Sequence, residues 1–438
     1  MAHRCRPPTS STGAGSVLDP VPPPPMAYAT VSFYTAKAAL LAMLDSYWST
    51  DELGRYLIEA LRMWQALTKS YRKRVVVGVD STSCFYDLRH VSAMTWTVLD
   101  SDLISEIQYH LCEPVTGSTW TSEQFTVGSI TKYLERNRDR LLDTNCYVDR
   151  MTQYVGVGPT SRVQLTSAMV GKIRRLGWRD FDGNTYPVRR ETERNLNAFM
   201  AGWVQGMSSR PVMYSESLTP PVQVQLAPVI KDVGTLDILG SLPGPSLDPS
   251  TGVEISVPDD FCWAVKYATL ADMLSVDGRL QDNLRSGFCR ELSDIGMSAL
   301  DSAVVLNAAV NDIPVPVDRI ESIDGFNPGW QNTGVVPSAV YTAGRNMVCV
   351  EKPSGVHSIA LDIVADMEIP HFDTDYLQIG AEHLRPVYGM AQCIANFKLG
   401  GSEFAATFPL MKEFLAAAAK VNTDLENAAP YRRLMERV

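Results

Sequence analysis

The chain has 438 residues, 45% apolar and 20% charged, with a net charge of −10. Its length predicts several units rather than one core, and its composition excludes a small stapled scaffold and wholesale disorder. No apolar run reaches the roughly 18 residues that a membrane-spanning helix needs. Residues 1–220 carry 24 Lys+Arg against 21 Asp+Glu and the remainder 15 against 28, so a mildly basic half precedes an acidic one.

Residues 1–25, MAHRCRPPTSSTGAGSVLDPVPPPP, are too rich in Pro, Ser and Gly to bury a core and read as a disordered arm without the apolar stretch of a secretory signal. Met26 opens the first structured unit, 26–118. Within it, Ser49 and Glu52 form a capping box, and Leu53, Tyr56, Leu57, Ala60, Leu61, Trp64 and Leu67 recur at spacings of three and four; this predicts an amphipathic helix. VVVGVDSTSCFYDL then predicts a β-hairpin turning at Asp-Ser-Thr-Ser.

A second unit, 119–318, repeats that order. Thr121 and Gln124 offer another capping box before a helix carrying Phe125, Ile130, Tyr133 and Leu134, and QYVGVGPTSRVQL reads as strand, Gly-Pro turn, strand. VGKIRRLGWRDFDGNTYPVRRETERNLNAF predicts strand, Asp-Gly-Asn turn, strand and short helix. Asp180, Asp182, Asn184 and Glu191 imitate part of a calcium loop, but Thr185 stands where the sharp-turn glycine belongs, so a hairpin turn is the better reading.

GWVQGMSSRPVMY (202–214) and GWQNTGVVPSAVY (329–341) share Gly-Trp, a polar loop with proline, and Tyr at one spacing. Downstream, TGVEISVPDDFCWAVKYATLADMLSVDG (251–278) aligns without a gap onto TDYLQIGAEHLRPVYGMAQCIANFKLGG (374–401), placing Phe261 over Leu384, Ala268 over Ala391 and Leu274 over Phe397. Each is a strand end, an acidic first turn, a long apolar helix and a glycine break before a second helix. An internal duplication accounts for both matches, with Trp203 and Trp330 filling cores at equivalent corners and the last unit spanning 319–438. The class is α+β: helical bundle segments with antiparallel hairpins or small β-sandwich domains.

Chemistry is sparse. Phosphate-loop, zinc-protease, nucleophile-elbow and dinucleotide motifs are missing from the sequence. The eight cysteines have no metal-ligand spacing and read as reduced thiols, Cys262 and Cys393 as small core residues. His90, His110, His357, His371 and His383 lack ligand partners at helical or turn spacing. Lys69, Arg72, Lys73 and Arg74, and Arg136, Arg138 and Arg140, could meet phosphate, but they fit a helix C-terminus and a helix interleaved with Asn and Asp. Asp259 and Asp260 offer a carboxylate pair for a hydrolase, against the ordinary role of acidic groups in a first helical turn. No catalytic, cofactor or metal residue is assigned.

The helix with an acidic start, the hairpin, VGKIRRLGWRDFDGNTYPVRRETERNLNAF, RPVMYSESLTPPVQVQLAP and VPDDFCWAVKYATLADMLS together resemble the head-to-tail adaptor proteins of tailed bacteriophages, the tail-tubular-A-like group, over about residues 120–300. The resemblance implies a non-enzymatic virion protein of the head-tail neck or tail, assembled in the host cytoplasm. It further implies a homo-oligomeric ring, often twelvefold, contacting portal protein and tail, nozzle or fibre proteins. Double-stranded DNA would pass the lumen without specific binding, along an acidic wall. The chain departs from that group in its length, its second copy and its Pro-rich arm, which leaves a tail-fibre collar or baseplate station open. A tail-tip receptor- or carbohydrate-binding protein, with Trp203 and Trp330 stacking on sugars, is a further alternative. Contact residues are expected in the arm, the helix 51–68 and the tail NAAPYRRLMERV with Arg432, Arg433 and Arg437.

Overall fold

The computed structural model describes residues 31–44, 47–91, 95–111, 125–143, 148–156, 159–165, 172–200, 202–217, 223–241, 243–277, 281–300 and 304–435. The expected arm 1–25 and the capping box at Thr121 and Gln124 lie outside them. The class is α+β. Helices α1 (Phe33–Met43) and α2 (Thr50–Thr68) lead into β1 (Arg72–Val79) and β2 (Phe85–Asp87). Then come α3 (Asp100–His110), α4 (Val127–Leu141), β3 (Asp149–Val155), β4 (Thr160–Gln164), β5 (Lys172–Arg179), β6 (Thr185–Arg190) and the short α5 (Glu193–Phe199). β7 (Met207–Ser208), β8 (Met213–Ser217), β9 (Gln223–Ile230) and β10 (Gly234–Ser241) precede α6 (Cys262–Leu274) and α7 (Asn283–Leu300). The chain ends through β11 (Val305–Val310), β12 (Ile313–Val315), β13 (Val317–Arg319), α8 (Ile320–Phe326), β14 (Val340–Ala343), β15 (Met347–Val350), β16 (His357–Val364), α9 (Leu384–Leu399), α10 (Gly401–Ala405) and α11 (Phe408–Met435).

Local chemistry sets these elements. Ser49 and Glu52 close the capping box of α2, whose apolar stripe is buried as its spacing requires. Thr126 caps α4 by accepting from the Ser129 N–H at 3.2 Å. Asp180 turns the β5–β6 hairpin: its carboxylate accepts from the Asn184 N–H at 2.8 Å while Gly183 takes φ +85°. The calcium-loop imitation is thus a hairpin turn.

Strand order exposes the duplication. One sheet runs β3-β10-β5-β6-β8-β9-β4; the other strands run β1-β16-β11-β12 and β13-β14-β15-β2. These are the same order, except that the counterpart of β6 is broken at Pro316 into β12 and β13, which splits the second sheet. Register agrees at single-residue level: Tyr214 faces Leu226 as Tyr341 faces Cys349, and Val163 faces Val224 as Asp87 faces Met347. Outside the strands, Ile255 donates to the Val98 carbonyl as Leu377 does to that of Val31, and each long helix follows a single 3-10 turn, Asp259–Phe261 or Ala381–His383.

The copies are nested. An inner copy, 95–300, interrupts an outer copy made of 31–91 and 304–435. The pairing cuts across the contiguous segments 26–118, 119–318 and 319–438 expected from sequence. The hairpin expected in VVVGVDSTSCFYDL requires correction: β1 and β2 exist, but β1 pairs with β16 and β2 with β15. In this topology consecutive first strands occupy opposite edges, so partners almost 300 residues away decide the pairing. β3 and β4 are likewise at opposite edges, and the Gln153 amide of β3 donates to the Gln164 carbonyl of β4 at 2.7 Å.

Helices of both copies share one large core, with Phe288 of α7, Phe397 of α9, Phe404 and Phe408 clustered at ring-centroid distances of 4.9–6.0 Å. Each β part has its own core, one around Val75, Ile359 and Leu361 and the other around Trp178, Leu236 and Ile238.

Candidate functional site

The most heavily built polar region is the joint between the copies. On its sheet side, the outward face of β3, β10 and β5 receives the corner formed by α8 and Trp330. Arg175, buried on β5, donates to both Asp324 oxygens at 2.5 and 2.9 Å, and Trp330 Nε1 donates to the same carboxylate at 2.9 Å. The Gln331 amide, oriented so that its oxygen accepts, meets the guanidinium at 2.9 and 3.2 Å. Burial works against the Arg175 charge, but Asp324 outweighs it and raises the pKa. Arg150 pairs with buried Asp237 at 2.7 Å and lies 4.4 Å from the centre of the Phe85 ring of β2.

Two asparagines extend the joint by imitating a strand. Asn346 accepts from the Val148 N–H at 2.9 Å and donates to the Val148 carbonyl at 3.0 Å. Asn332 does the same at Thr185, at 2.6 and 3.1 Å. Around these bonds pack Phe85, Leu239, Ile320, Ile323 and Trp330.

On the helical side, α2, α3 and α6 enclose a cleft of about 520 Å³. Lys266, buried on α6, bridges Glu59 of α2 at 2.6 Å and Glu106 of α3 at 3.1 Å. Burial disfavours its charge, yet Glu106 and Glu59 raise its pKa, so it stays an ammonium. Tyr56 and Tyr109 share a hydrogen bond of 2.7 Å, and Tyr109 donates onward to Glu52. Burial holds both phenols neutral and pushes His110 well below the usual imidazole range. Burial likewise raises the Cys262 thiol. These groups are held as fixed charges and neutral donors, an arrangement suited to fastening helices together.

The residues singled out from sequence fall into place as follows. Asp259 accepts from the Thr97 N–H and hydroxyl at 2.8 and 2.7 Å and from the Val98 N–H at 3.1 Å, tying α6 to the segment before α3. Asp260 is buried beside Asp366 of the outer copy; burial first, then that neighbouring carboxylate, drives its pKa well up. Thr95 donates to Asp366 from both its N–H and its hydroxyl. Arg136 pairs with Asp272 at 2.6 Å, and buried Arg138 donates to the Pro245 carbonyl at 2.5 Å, so both are occupied within the fold.

Cys262 and Cys393 are buried, donating to backbone carbonyls, and the other described cysteines are free and buried. Trp203 and Trp330 are 7% and 1% exposed, which removes the sugar-stacking role. Most of α2 is buried in the bundle, and α11 carries the C-terminal residues as helix to Met435. Sequence reasoning missed Arg175, Asp324, Asn332 and Asn346, although Asp324 and Asn197 stand six residues before their tryptophans in both copies. Comparison of the chain with protein-family models and with curated proteins gives no match.

The joint has a direction. The counterpart of Asp324 is Asn197, which accepts from Trp203 Nε1 at 2.9 Å, the same bond as in the outer copy. By strand register, Arg175 corresponds to Asn307, whose amide lies 3.5 Å from Asp362 on its own sheet. The outer copy gives a corner and the inner copy gives a face, which is a head-to-tail contact.

Proposed function

We propose that the chain is a non-enzymatic structural protein of a virion that builds a ring as a head-to-tail adaptor between portal and tail. The observation that carries this reading is the head-to-tail packing of two copies of one fold inside a single chain. Head-to-tail contacts propagate, and they form closed rings when the rotation between neighbours divides a full turn. A duplicated chain supplies two consecutive members of such a ring, so a ring of twelve copies would take six chains.

The reading also agrees with the use of titratable groups for fastening, described above, and with the resemblance over residues 120–300. A ring lumen lined by the acidic residues of the C-terminal half would let DNA pass without adhering. The test mixes the purified full-length chain with portal rings and with tail complexes and follows co-sedimentation. Stoichiometric binding to the portal is expected. Binding to tail fibres or baseplate complexes in its place would move the station to a collar or baseplate. An affinity for neither, by a chain that remains single, would refute the reading.

A further inference from the structure

The same fold appears twice, and among the described residues only one copy has its sheet face covered. In the inner copy that face carries Arg150, Asp237, Leu239 and Arg175, and Asp237 and Leu239 are 1% and 0% exposed beneath the outer corner. Register places Arg74, Ala360, Asp362 and Asn307 at the corresponding points of the outer copy. There the described residues leave the face open: Val76 is 62% exposed, Asn307 is exposed, and Arg74 pairs with Asp362 directly opposite at 2.9 Å, where Arg150 reaches diagonally to Asp237. An arginine at one point of the first strand thus reaches an aspartate of the last strand in both copies, the two aspartates standing two residues apart in register; Arg150 lies against the Phe85 ring, and the Arg74 side chain is 68% exposed.

The complementary surface is open too. The inner corner keeps the fold of the outer one: α5, the Trp203 bond to Asn197, and Trp203 donating from its N–H to the Met200 carbonyl at 2.9 Å, where Trp330 donates to Asn327 at 3.1 Å. Val204 stands where Gln331 touches Arg175 and is 59% exposed. An exposed aliphatic side chain at the tip of one surface, Val204, and another on the edge strand of the other, Val76, are groups that burial would stabilise.

We propose that the outer copy's open sheet face, around Arg74, Val76, Asp362 and Asn307, seats the α5–Trp203 corner of a second copy of this chain. This rests on the ring reading and specifies its contact: the joint between chains repeats the joint within one. Val204 of one chain then lies against Asn307 of the next, as Gln331 lies against Arg175. Continuity with the internal joint favours a second copy over the chain's own first 30 residues as the occupant.

The test uses the full-length chain carrying Val204→Glu, Asn307→Arg, or both, with sedimentation velocity as the readout and thermal unfolding as the control for folding. Both positions are exposed, so the unfolding midpoint should be unchanged. Val204→Glu should reduce assemblies to single chains, because it carries an unpaired carboxylate into the joint. The double variant should restore them by pairing that carboxylate with the new guanidinium. Native-sized rings from Val204→Glu would overturn the proposed contact and leave the ring reading standing; a native chain that stays single, alone and with portal rings, would overturn both. A Val76→Cys chain that stays single and reacts with maleimide only after residues 1–30 are deleted would identify that segment as the occupant, and would also overturn the proposal.

Discussion

Arg175 and Asp260 show how differently two buried charges can serve one joint. Arg175 has a matched carboxylate, so removing it strands Asp324 among Trp330, Phe85 and Ile323. Arg175→Met should cost about 3–5 kcal/mol, read by chemical denaturation, and Asp324→Asn in the same chain should recover part of the loss. Asp260 faces a like charge. Burial and Asp366 raise its pKa, so between the ordinary carboxylate range and the raised value the folded chain holds a proton that the unfolded chain has released. Stability therefore falls as pH rises through that window. Asp260→Asn should flatten this slope and raise the unfolding midpoint at pH 7, by about 1 kcal/mol in stability; an unchanged pH profile would mean that the Asp260–Asp366 contact does not titrate as described.

Among the elements, the paired corners allow an internal comparison. Trp203 and Trp330 donate equivalent bonds, but Trp330 also lies under the Arg175 guanidinium, 5.5 Å from its ring centre, in a shared core. Trp330→Ala should cost about 3–5 kcal/mol, and Trp203→Ala less, since its cluster is smaller and partly open. Equal losses in parallel denaturation curves would argue against that difference. Gly296 sets the approach of α7 to α6: a Cβ there would stand 2.5 Å from that of Ala264 and 3.0 Å from the Trp263 ring. Gly296→Ala should cost about 1–3 kcal/mol through overpacking.

Much at this scale was legible in the sequence. The capping box at Ser49 and the Asp-Gly-Asn turn are encoded within short windows, where local propensity and spacing act; the 251–278 and 374–401 match finds the right elements but is out by one residue, since the turn Asp259–Phe261 corresponds to Ala381–His383 and so places Phe261 over His383 rather than Leu384. Strand partners were not legible. Asp80, Ser81, Thr82 and Ser83 do form a turn, with Asp80 accepting from the Thr82 N–H at 2.8 Å, yet the strands on either side separate to different partners. Tertiary register decides that outcome, and a local pattern carries no record of it. For the same reason the Arg175–Asp324 pair, 149 residues apart, had no sequence signal beyond the recurrence of a polar residue six places before each tryptophan.

For the whole molecule, nesting explains the length and the single helical core shared by two copies. Insertion of the inner copy between β2 and β11 connects the two copies through the chain twice, and the joint they form resembles one step of an array. The most direct measurement is mass by light scattering combined with rotational symmetry from negative-stain class averages of the full-length chain, with and without residues 1–25. The account predicts a closed ring that shows twice as many similar lobes around its rim as the mass gives chains. A stable single chain, or a two-chain particle with one twofold axis and no affinity for virion components, would contradict it.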